Sequence, residues 1–346
     1  MSASPAHGEA PTRSAGIGLI GCGRIGRMHA RHIGSVAGLH LAAVCDAIPA
    51  ASASLADELD VPAAESPAAL MARCDVDAVA VCSPTDTHVD LIVAAARSGL
   101  PAFVEKPVSL DLAEAERAMR AADEAGIAVQ LGFNRRFDPS HRAVAEAAHR
   151  GELGDLHLVR ITSRDPQPPP HDYLAASGGI FADMMIHDFD MARFVVGAEV
   201  CEVYAAGAVR IDAAIGQLGD WDTAAAVLRH ADGTITIVDN SRQAVYGYDQ
   251  RVEAFGAAGA MTSQNPTVHD AIRFGPEGAT AAAMPWFFTE RYAESYRAEW
   301  AAFAGVLAGR PPPVTLEDGR ACLAIALAAT RSARQGCPIA ITEPAL

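Results

Sequence analysis

The stretch GIGLIGCGRIGRMHA, residues 16–30, places Gly21, Gly23 and Gly26 in the spacing G-x-G-x-x-G. The apolar residues before the first glycine predict a buried β-strand, and the residues after the second predict an α-helix. In such a strand–turn–helix unit the first glycine makes a tight turn, the second lets a pyrophosphate approach the backbone, and the third lets the helix pack on the strand. Because the N-terminus of the helix attracts phosphate groups, the stretch predicts a dinucleotide-binding site.

Three more residues, Arg24, Ile25 and Asp46, extend this predicted site. Asp46 ends the predicted strand LHLAAVCD, twenty residues after Gly26, where a carboxylate can hold both ribose hydroxyls. The carboxylate would also repel a 2′-phosphate, and the residues beside it offer no arginine to pair with one. The sequence therefore predicts NAD rather than NADP as the cofactor. A glycine turn that ends in a capping aspartate is the alternative explanation of the same residues.

The pattern of apolar residues divides the chain into two predicted domains. Over residues 16–131 short apolar runs alternate with amphipathic segments, which predicts a parallel sheet covered by helices on both faces, the Rossmann arrangement. Over residues 132–346 longer alternating runs, with a hairpin signal at Asp232–Gly233, predict an antiparallel sheet with attached helices. We therefore expect an α/β fold, with residues 1–15 as a flexible tail and a last helix that can pack back on the first domain.

The composition of the 346-residue chain argues against several classes of partner. Its formal net charge is −15 and its pI is about 5.2, so its surface repels phosphate backbones and anionic lipids. The seven cysteines include no C-x-x-C pair, which favours free thiols in a reducing compartment over disulfides or a zinc site. The first residues lack the apolar core of a signal peptide, and no apolar run is long enough to span a bilayer. These features predict a cytoplasmic protein without a nucleic-acid or membrane partner.

The segment CSPTDTH lies at the carboxyl end of a predicted strand, the edge at which open parallel sheets bind ligands. It contributes Ser83, Pro84, Thr85 and His88 as candidates for cofactor contacts. The alternative is a proline-containing turn with a helix cap, in which His88 is merely a solvated loop residue.

The segment VEKP, which contains Glu105 and Lys106, ends the next predicted strand. A lysine at a strand end in a cleft can donate hydrogen bonds to a hydroxyl or to an emerging carbonyl oxygen. An ordinary surface lysine is the alternative. We count both residues as candidates for cofactor contacts.

The stretch GGIFADMMIHDFDMARF, residues 178–194, places three aspartates and a histidine among apolar residues. If the stretch is one helix, Asp183 and His187 are four residues apart and share a face. A carboxylate beside an imidazole on a buried helix is either a structural pair or a general base with its orienting partner. We expect one of Asp188 and Asp190 to face the interior and the other to be solvated. No metal is predicted, because no second histidine stands at ligand spacing.

These motifs together resemble the Gfo/Idh/MocA oxidoreductase family. GCGRIGRMHA, CSPTDTH and EKP are similar to the signatures of the family's nucleotide domain. GFNRRFDPS and SGGIFADMMIHDFDMARF resemble more narrowly its inositol 2-dehydrogenases. The resemblance covers nearly the whole chain after the first residues. It implies a C-terminal α/β domain with a large, open, mostly antiparallel sheet whose exposed face is buried in a homotetramer.

The resemblance also implies a catalytic trio, here Lys106, Asp183 and His187. In an alcohol oxidation His187 would remove the hydroxyl proton as the hydride leaves, since an imidazole titrates near working pH. Asp183 would orient the ring and stabilise the imidazolium, and Lys106 would bind the reacting oxygen. The implied activity is the NAD-dependent oxidation of an inositol, above all of myo-inositol to 2-keto-myo-inositol (scyllo-inosose) in myo-inositol catabolism.

Candidates for contacts with the polyol come from three further segments, in addition to Asp183 and His187. The resemblance suggests Arg135 in GFNRRFD and Tyr246 in YGYD. Asp165 in SRDP is a further candidate, although a turn residue before a proline explains it equally well.

One departure from the family pattern leaves the substrate open, because Asn134 stands where the resemblance leads us to expect methionine. A dehydrogenase of the same fold acting on another inositol isomer or on a sugar is therefore an alternative. A catalytically silent sugar or nucleotide sensor is a second one, since a fold does not fix a function. The presence of the whole catalytic trio argues against the sensor, which needs no proton transfer.

Overall fold

Residues 14–341 are described in a computed structural model. The strands of the first part are β1 (Ala15–Ile20), β2 (Leu39–Cys45), β3 (Ala78–Val81), β4 (Ala102–Glu105) and β5 (Val129–Gly132). Its helices are α1 (Arg24–Ile33), α2 (Pro49–Leu59), α3 (Pro67–Met71), α4 (His88–Arg97) and α5 (Leu112–Ala125). The strands form one five-stranded sheet in the order β2-β1-β3-β4-β5, and all neighbours are parallel.

The strands of this sheet are continuous apolar runs because both of its faces are covered. In β3, Val79 and Val81 belong to one apolar cluster, whereas Ala78 and Ala80 belong to the cluster on the opposite face. All four residues are buried. The predicted parallel sheet with helices on both faces is therefore confirmed.

The second part of the chain continues with β6 (Leu156–Arg164), β7 (Val200–Ala208), β8 (Thr223–His230), β9 (Ile235–Ser241), β10 (Asp249–Gly256), β11 (Gly259–Thr262), β12 (Ile272–Gly275), β13 (Gly278–Ala281) and β14 (Ile339–Ala340). Its helices are α6 (Pro139–His149), α7 (His171–Ala176), α8 (Ile180–Asp183), α9 (Ile186–Val196), α10 (Ala213–Gln217), α11 (Phe288–Arg291), α12 (Ala293–Leu307) and α13 (Leu316–Gln335). Short 3₁₀ helices span Thr85–Thr87 and Asn134–Phe137.

The large sheet of the second part has seven strands in the order β11-β10-β6-β9-β8-β7-β14. Every neighbouring pair is antiparallel except β6 and β9, which are parallel. Strands β12 and β13 form a separate hairpin. The predicted α/β fold with a mostly antiparallel second sheet is confirmed.

One face of the large sheet is covered by helices and the other is open. Helix α13 packs against β7, and α9 packs against β6. In β8 and β9 buried residues alternate with more exposed ones, as expected for strands with one covered face. The open face carries apolar side chains that are 39–45% exposed: Tyr204, Val227, Ile235, Ile237 and Phe255.

Helix α12 belongs to the second part of the chain but packs on the first sheet. Its Trp300, Phe303 and Val306 share an apolar cluster with Ile17 and Leu19 of β1. Helix α13 contacts α5 and β5 as well as α9 and β7. Helices from the part of the chain after residue 131, where the sequence pattern changes, therefore pack on the part before it.

The predicted flexible tail comprises residues 1–15, of which residues 1–13 lie outside the described residues. Ala15 is already the first residue of β1, because it pairs with Leu39 and its backbone N–H donates to the carbonyl oxygen of Gly38. The tail prediction is therefore wrong for this residue. Within residues 14–341 no helix combines the length and the apolar character needed to cross a membrane.

Candidate active site

The glycine-rich turn leaves open backbone at the second of its three glycines. A Cβ at Gly21 would lie 2.5 Å from the carbonyl carbon of Cys82, and one at Gly26 would lie 1.8 Å from the carbonyl oxygen of Gly21. A Cβ at Gly23 would meet no atom within 4 Å. Helix α1 begins directly after Gly23 without a side-chain cap or an acidic residue in its first turn. The turn therefore fits a dinucleotide, with free backbone and a helix N-terminus for its phosphates.

Asp46 lies beside this turn and is held there by two backbone groups. Its carboxylate accepts hydrogen bonds from the backbone N–H of Cys22 at 2.6 Å and of Ile48 at 2.8 Å. A carboxylate has about four lone-pair positions, so both oxygens can still accept ribose hydroxyls. The geometry is therefore compatible with the predicted role of Asp46 in holding NAD.

A cavity of about 500 Å³ lies where the two parts of the chain meet. Most of the predicted site residues line it: Arg24, Ile25, Ser83, Pro84, Thr85, His88, Glu105, Lys106, Arg135, Asp165, Asp183 and His187. The three turn glycines, Asp46 and Tyr246 do not line it. The structure thus brings the lysine, the aspartate and the histidine of the predicted trio to one cavity, next to the loops that follow β3 and β4.

Lys106 extends from the end of β4 to the second part of the chain. Its ammonium group donates a hydrogen bond to the backbone carbonyl oxygen of Asp183 at 2.9 Å and lies 3.6 Å from Oδ1 of the same residue. The surface-lysine alternative is therefore wrong for this residue, which contacts the opposite wall of the cavity.

The segment that carries Asp183 and His187 is two helices, and the prediction of one helix is wrong. Helix α8 ends at Asp183 and α9 begins at Ile186. In a continuous helix the backbone N–H of His187 would donate to the carbonyl oxygen of Asp183. Here that N–H faces the carbonyl oxygen of Met184 at 3.4 Å, and the oxygen of Asp183 accepts from Lys106 instead. The break in the helix frees the carbonyl group that positions the lysine.

The Asp183 carboxylate is surrounded by donors, none of which is His187. Tyr173 donates to Oδ1 at 2.7 Å, and Arg242 donates to Oδ2 at 3.1 Å. Burial favours the protonated form of the carboxyl group, but the charges of Lys106 and Arg242 outweigh it and lower the pKa of Asp183. Asp183 is therefore an anion held against Lys106, and it does not orient the imidazole as predicted.

The His187 imidazole is buried beside the positive charges of the site. Its Nδ1 has no hydrogen-bond partner within residues 14–341, and its ring meets Phe133 edge-on at 5.9 Å between centroids. Burial, followed by the charges of Lys106 and Arg135, lowers the pKa of His187 well below its ordinary value. The ring is therefore uncharged and available as a proton acceptor.

Arg135 is held at the cavity by Asp188. Its Nη1 donates to Asp188 Oδ1 at 2.6 Å and to Ser163 Oγ at 2.8 Å, and Asn240 donates to Asp188 Oδ2 at 2.8 Å. Ser163 Oγ in turn donates to Asp188 Oδ1 at 2.5 Å, so three partners fix this fully buried carboxylate, which holds the guanidinium in place.

Asp190 forms a second buried pair, with Arg136, whose Nε lies 2.9 Å and 3.0 Å from its two carboxylate oxygens. The expectation that one of Asp188 and Asp190 is solvated is therefore wrong, because both have arginine partners in the core.

Asp165 is the carboxylate of the cavity that has no donor of its own. Within residues 14–341 its side chain makes no hydrogen bond and no ion pair, although it lines the cavity. Burial and, after it, the negative charge of Asp183 raise the pKa of Asp165 to about 6. Above that pH the group is a carboxylate, and both of its oxygens can accept hydrogen bonds from a bound polyol.

The structure does not bring Tyr246 to the cavity, in contrast to its predicted role. Its hydroxyl donates to Asp249 at 2.8 Å and accepts from Arg164 at 3.1 Å, and half of the side chain is exposed. Tyr248, two residues later, lines the cavity and is buried. Gly247 between them has a φ of +125°, so the backbone turns sharply between the two tyrosines.

His88 and Asn134 are buried in the cavity wall. The His88 ring lies between the carbonyl oxygens of Pro107 at 2.8 Å and Ser83 at 2.9 Å and so joins the loops after β3 and β4. The solvated alternative for His88 is therefore wrong. Asn134 donates a long hydrogen bond to Ser295 at 3.4 Å and presents an amide to the cavity.

Sequence reasoning missed Tyr173, Arg242 and Tyr248. Tyr173 follows a proline-rich loop, and Arg242 follows β9, so their contacts with Asp183 depend on the tertiary fold. For Tyr173 the sequence offered one signal, an aromatic residue at the end of the stretch QPPPHDY. The neighbouring His171 instead pairs with Asp212 at 2.8 Å, away from the cavity.

A glycine-rich turn on a parallel sheet, next to a cavity lined by a lysine, an aspartate and a histidine, fits an oxidoreductase with a Rossmann domain. The chain belongs to the Gfo/Idh/MocA family. Residues 15–133 match the oxidoreductase family with its NAD-binding Rossmann fold, and residues 141–262 match the GFO/IDH/MocA C-terminal domain. The family resemblance and NAD as the cofactor are thereby confirmed.

Known relatives are similar to the chain over nearly its full length. It is 43% identical over 329 residues to the myo-inositol 2-dehydrogenase of Thermotoga maritima, covering 94% of this chain and 98% of that protein. It is 44% identical over 327 residues to the inositol 2-dehydrogenase of Rhizobium meliloti, with coverages of 94% and 98%. The crystal structure of scyllo-inositol dehydrogenase from Lactobacillus casei with bound NAD(H) and scyllo-inositol has a TM-score of 0.88 at 30% identity, over 95% of this chain and 99% of that chain.

Proposed function

We propose that this protein is an NAD-dependent inositol 2-dehydrogenase that oxidises myo-inositol to 2-keto-myo-inositol and acts in myo-inositol catabolism. The observation that carries the proposal is the contact of Lys106, from the nucleotide-binding half, with Asp183, in the cavity that His187 also lines. Full-length similarity to inositol dehydrogenases supports the same substrate class.

His187 is the proposed general base. Its imidazole is uncharged, and Nδ1 is the buried nitrogen, so Nε2 is the one that can accept the hydroxyl proton from the cavity. A base of low pKa suffices because the hydroxyl becomes more acidic as the hydride leaves. Bound NAD supplies the acceptor for that hydride.

Lys106 and Asp183 form the proposed charged wall of the site. The ammonium group can donate to the reacting oxygen while that oxygen changes from hydroxyl to carbonyl. The Asp183 anion lies 3.6 Å from the ammonium nitrogen and offsets its charge. Tyr173 and Arg242 hold this carboxylate in place, so the lysine keeps one direction.

The remaining polar groups suit a ring that carries several hydroxyls. Asp165 offers free acceptors, Arg135 offers guanidinium donors, and the Asn134 amide offers a donor and an acceptor. A cavity with donors and acceptors on several walls selects polyols over simple alcohols, because an unmatched buried polar group costs free energy.

A second candidate function is oxidation of scyllo-inositol or another isomer. It is favoured by the similarity to a structure that holds scyllo-inositol and by the amide of Asn134 in the cavity wall. The test is NADH formation from myo-, scyllo- and chiro-inositol and from glucose, each with NAD and with NADP. We expect the largest kcat/KM with myo-inositol and NAD. Preference for scyllo-inositol would establish the second candidate, and preference for glucose or no NADH from any inositol would contradict both.

We further propose that the enzyme is a homotetramer assembled through the open face of the large sheet. The apolar side chains there are neighbours, since Tyr204 lies opposite Val227 and Val227 lies opposite Ile237. A contiguous apolar patch of this kind is typical of an interface.

We propose a cytoplasmic location for the enzyme. All seven cysteines are free thiols, and two of them, Cys74 and Cys337, are exposed. Exposed free thiols suit a reducing compartment.

A further inference from the structure

A buried chain of hydrogen bonds leads from helix α12 to the strand end that carries Lys106. The indole Nε1 of Trp300 donates to His29 Nδ1 at 2.9 Å. The other ring nitrogen of His29 lies 2.7 Å from Oε1 of Glu105. His29 lies on α1 and Trp300 on α12, so the chain joins the two parts of the molecule, and both side chains are fully buried.

The first bond of this chain fixes the tautomer of His29. An indole N–H can only donate, so Nδ1 of His29 must present its lone pair. The ring proton is then on Nε2 and points to Glu105, which accepts it. The ring itself is held edge-on by Phe103 at 5.1 Å and by Tyr296 at 5.5 Å between centroids.

The last bond of the chain holds the backbone of Lys106. Glu105 accepts at Oε1 from His29, and its Oε2 lies 3.2 Å from the backbone nitrogen of Lys106, which donates to it. Both oxygens of the carboxylate are thus engaged, one by His29 and the other by the backbone of Lys106. The direction in which the lysine leaves the strand is thus tied to the carboxylate.

We propose that His29 and Trp300 are positioning residues for Lys106, acting through Glu105. Trp300 sets the tautomer of His29, His29 fixes the Glu105 carboxylate, and Glu105 fixes the start of the lysine side chain whose ammonium group reaches Asp183. Neither His29 nor Trp300 lines the cavity. That these hydrogen bonds affect catalysis rests on the proposed function of Lys106. That they affect the position of Lys106 does not.

Two substitutions at one position separate positioning from simple packing. In His29→Gln the amide nitrogen can replace Nε2 and still donate to Glu105. In His29→Asn the amide oxygen can replace Nδ1 and still accept from Trp300, but no group reaches Glu105. Both variants remove the same buried ring. We expect kcat of His29→Gln within about threefold of the wild type and kcat of His29→Asn about tenfold lower, since small misplacements of catalytic groups cost tenfold or more. The KM for NAD should change little in either.

The second readout needs no activity: crystal structures of the ligand-free variants. The contact between the Lys106 ammonium and the Asp183 carbonyl oxygen should persist in His29→Gln and be lost in His29→Asn. Equal kcat values in the two variants, or an unchanged contact in His29→Asn, would overturn the proposal. Trp300→Phe, which keeps an aromatic ring but removes the indole N–H, decides the matter if the His29 variants do not fold. It should also lose about tenfold in kcat, and a wild-type kcat would refute the inference. A wild type inactive on every polyol tested would instead refute the proposed function alone.

Discussion

The ammonium group of Lys106 lies 2.9 Å from the backbone carbonyl oxygen of Asp183, which a continuous helix would have used for its own hydrogen bond. The contact joins the nucleotide-binding part of the chain to the second part at the cavity. It coincides with the point at which the buried segment around His187 is broken into two helices.

Lys106→Met should remove the ammonium group and keep the length of the side chain. We expect kcat to fall by about 10²–10³-fold, the usual cost of losing a donor to a developing charge. Steady-state NADH formation from myo-inositol measures the effect. Tyr173→Phe, which removes one donor to Asp183 from the same wall, is the matched control and should cost much less. A Lys106→Met enzyme with near wild-type kcat would show that the lysine does not act on the reacting oxygen.

His187→Ala should abolish turnover by removing the proton acceptor. A loss of about 10²–10⁴-fold in kcat is expected for a general base. Binding of NAD, measured by titration calorimetry, should stay near the wild-type value because the turn that fits the phosphates is intact. If the variant instead binds NAD poorly and turns over normally at saturating NAD, the assignment of His187 is wrong.

Asp165→Asn should change the pH dependence of substrate binding. In the wild type the carboxyl group ionises with a pKa of about 6, so only above that pH do both of its oxygens act purely as acceptors for substrate hydroxyls. The KM for the polyol should therefore rise as the pH falls from 7 to 5, and this rise should be absent in Asp165→Asn. A variant whose KM follows the wild-type pH profile would place the titrating group elsewhere.

The same substitution should stabilise the fold at neutral pH. The folded-state pKa of Asp165 is raised to about 6 from 3.8, so the folded state binds the proton more tightly than the unfolded state. The contribution of Asp165 to the free energy of unfolding is fully present below about pH 4. It is lost as the pH rises through about 6, and the change in the free energy of unfolding is roughly 2–3 kcal/mol. Asp165→Asn should therefore raise the free energy of unfolding more at pH 7.5 than at pH 4. Denaturant unfolding at both pH values measures it, and an equal gain at both would contradict the linkage.

Asp46→Ala should weaken NAD binding and relax the rejection of NADP. In the proposed site the carboxylate beside the glycine turn would both accept ribose hydroxyls and repel a 2′-phosphate. We expect the KM for NAD to rise about tenfold, which corresponds to the loss of one charged hydrogen bond. We also expect the preference of the enzyme for NAD over NADP to become smaller. Cofactor titrations at fixed myo-inositol measure both, and an unchanged NAD-to-NADP ratio would remove the argument from Asp46.

Val227→Glu should disrupt assembly through the open sheet face. Burying a carboxylate in an apolar interface without a partner is costly. We expect light scattering on a gel-filtration column to show a tetramer for the wild type and smaller species for the variant. Ile48→Glu, an exposed apolar residue of the first part of the chain, is the matched control and should stay assembled. A monomeric wild type would contradict the proposed homotetramer.

The sequence predicted the parts of the site that depend on local structure. The glycine turn, Asp46 and the lysine at the end of β4 each follow from a strand, a turn and a helix start that are neighbours in the chain. Their positions could be predicted because the carboxyl ends of parallel strands share one edge.

The remaining parts could not be predicted because distant residues compete for the same groups. The helix is interrupted after Asp183, and the carbonyl oxygen of Asp183 accepts from Lys106, 77 positions away in the sequence. The sequence predicted that the Asp183 carboxylate would orient His187. In the structure it accepts hydrogen bonds from Tyr173 and Arg242 instead. In YGYD it is Tyr248, after Gly247 with its φ of +125°, that lines the cavity, and the local pattern does not distinguish it from Tyr246.

In the proposed mechanism Lys106 and His187 act on the same substrate oxygen. A crystal structure of the protein with NADH and an inositol tests it most directly. We expect the Lys106 ammonium nitrogen and Nε2 of His187 both to lie about 2.6–3.2 Å from one hydroxyl oxygen. An inositol whose nearest oxygens to these two groups belong to different carbons, or one bound outside this cavity, would contradict it.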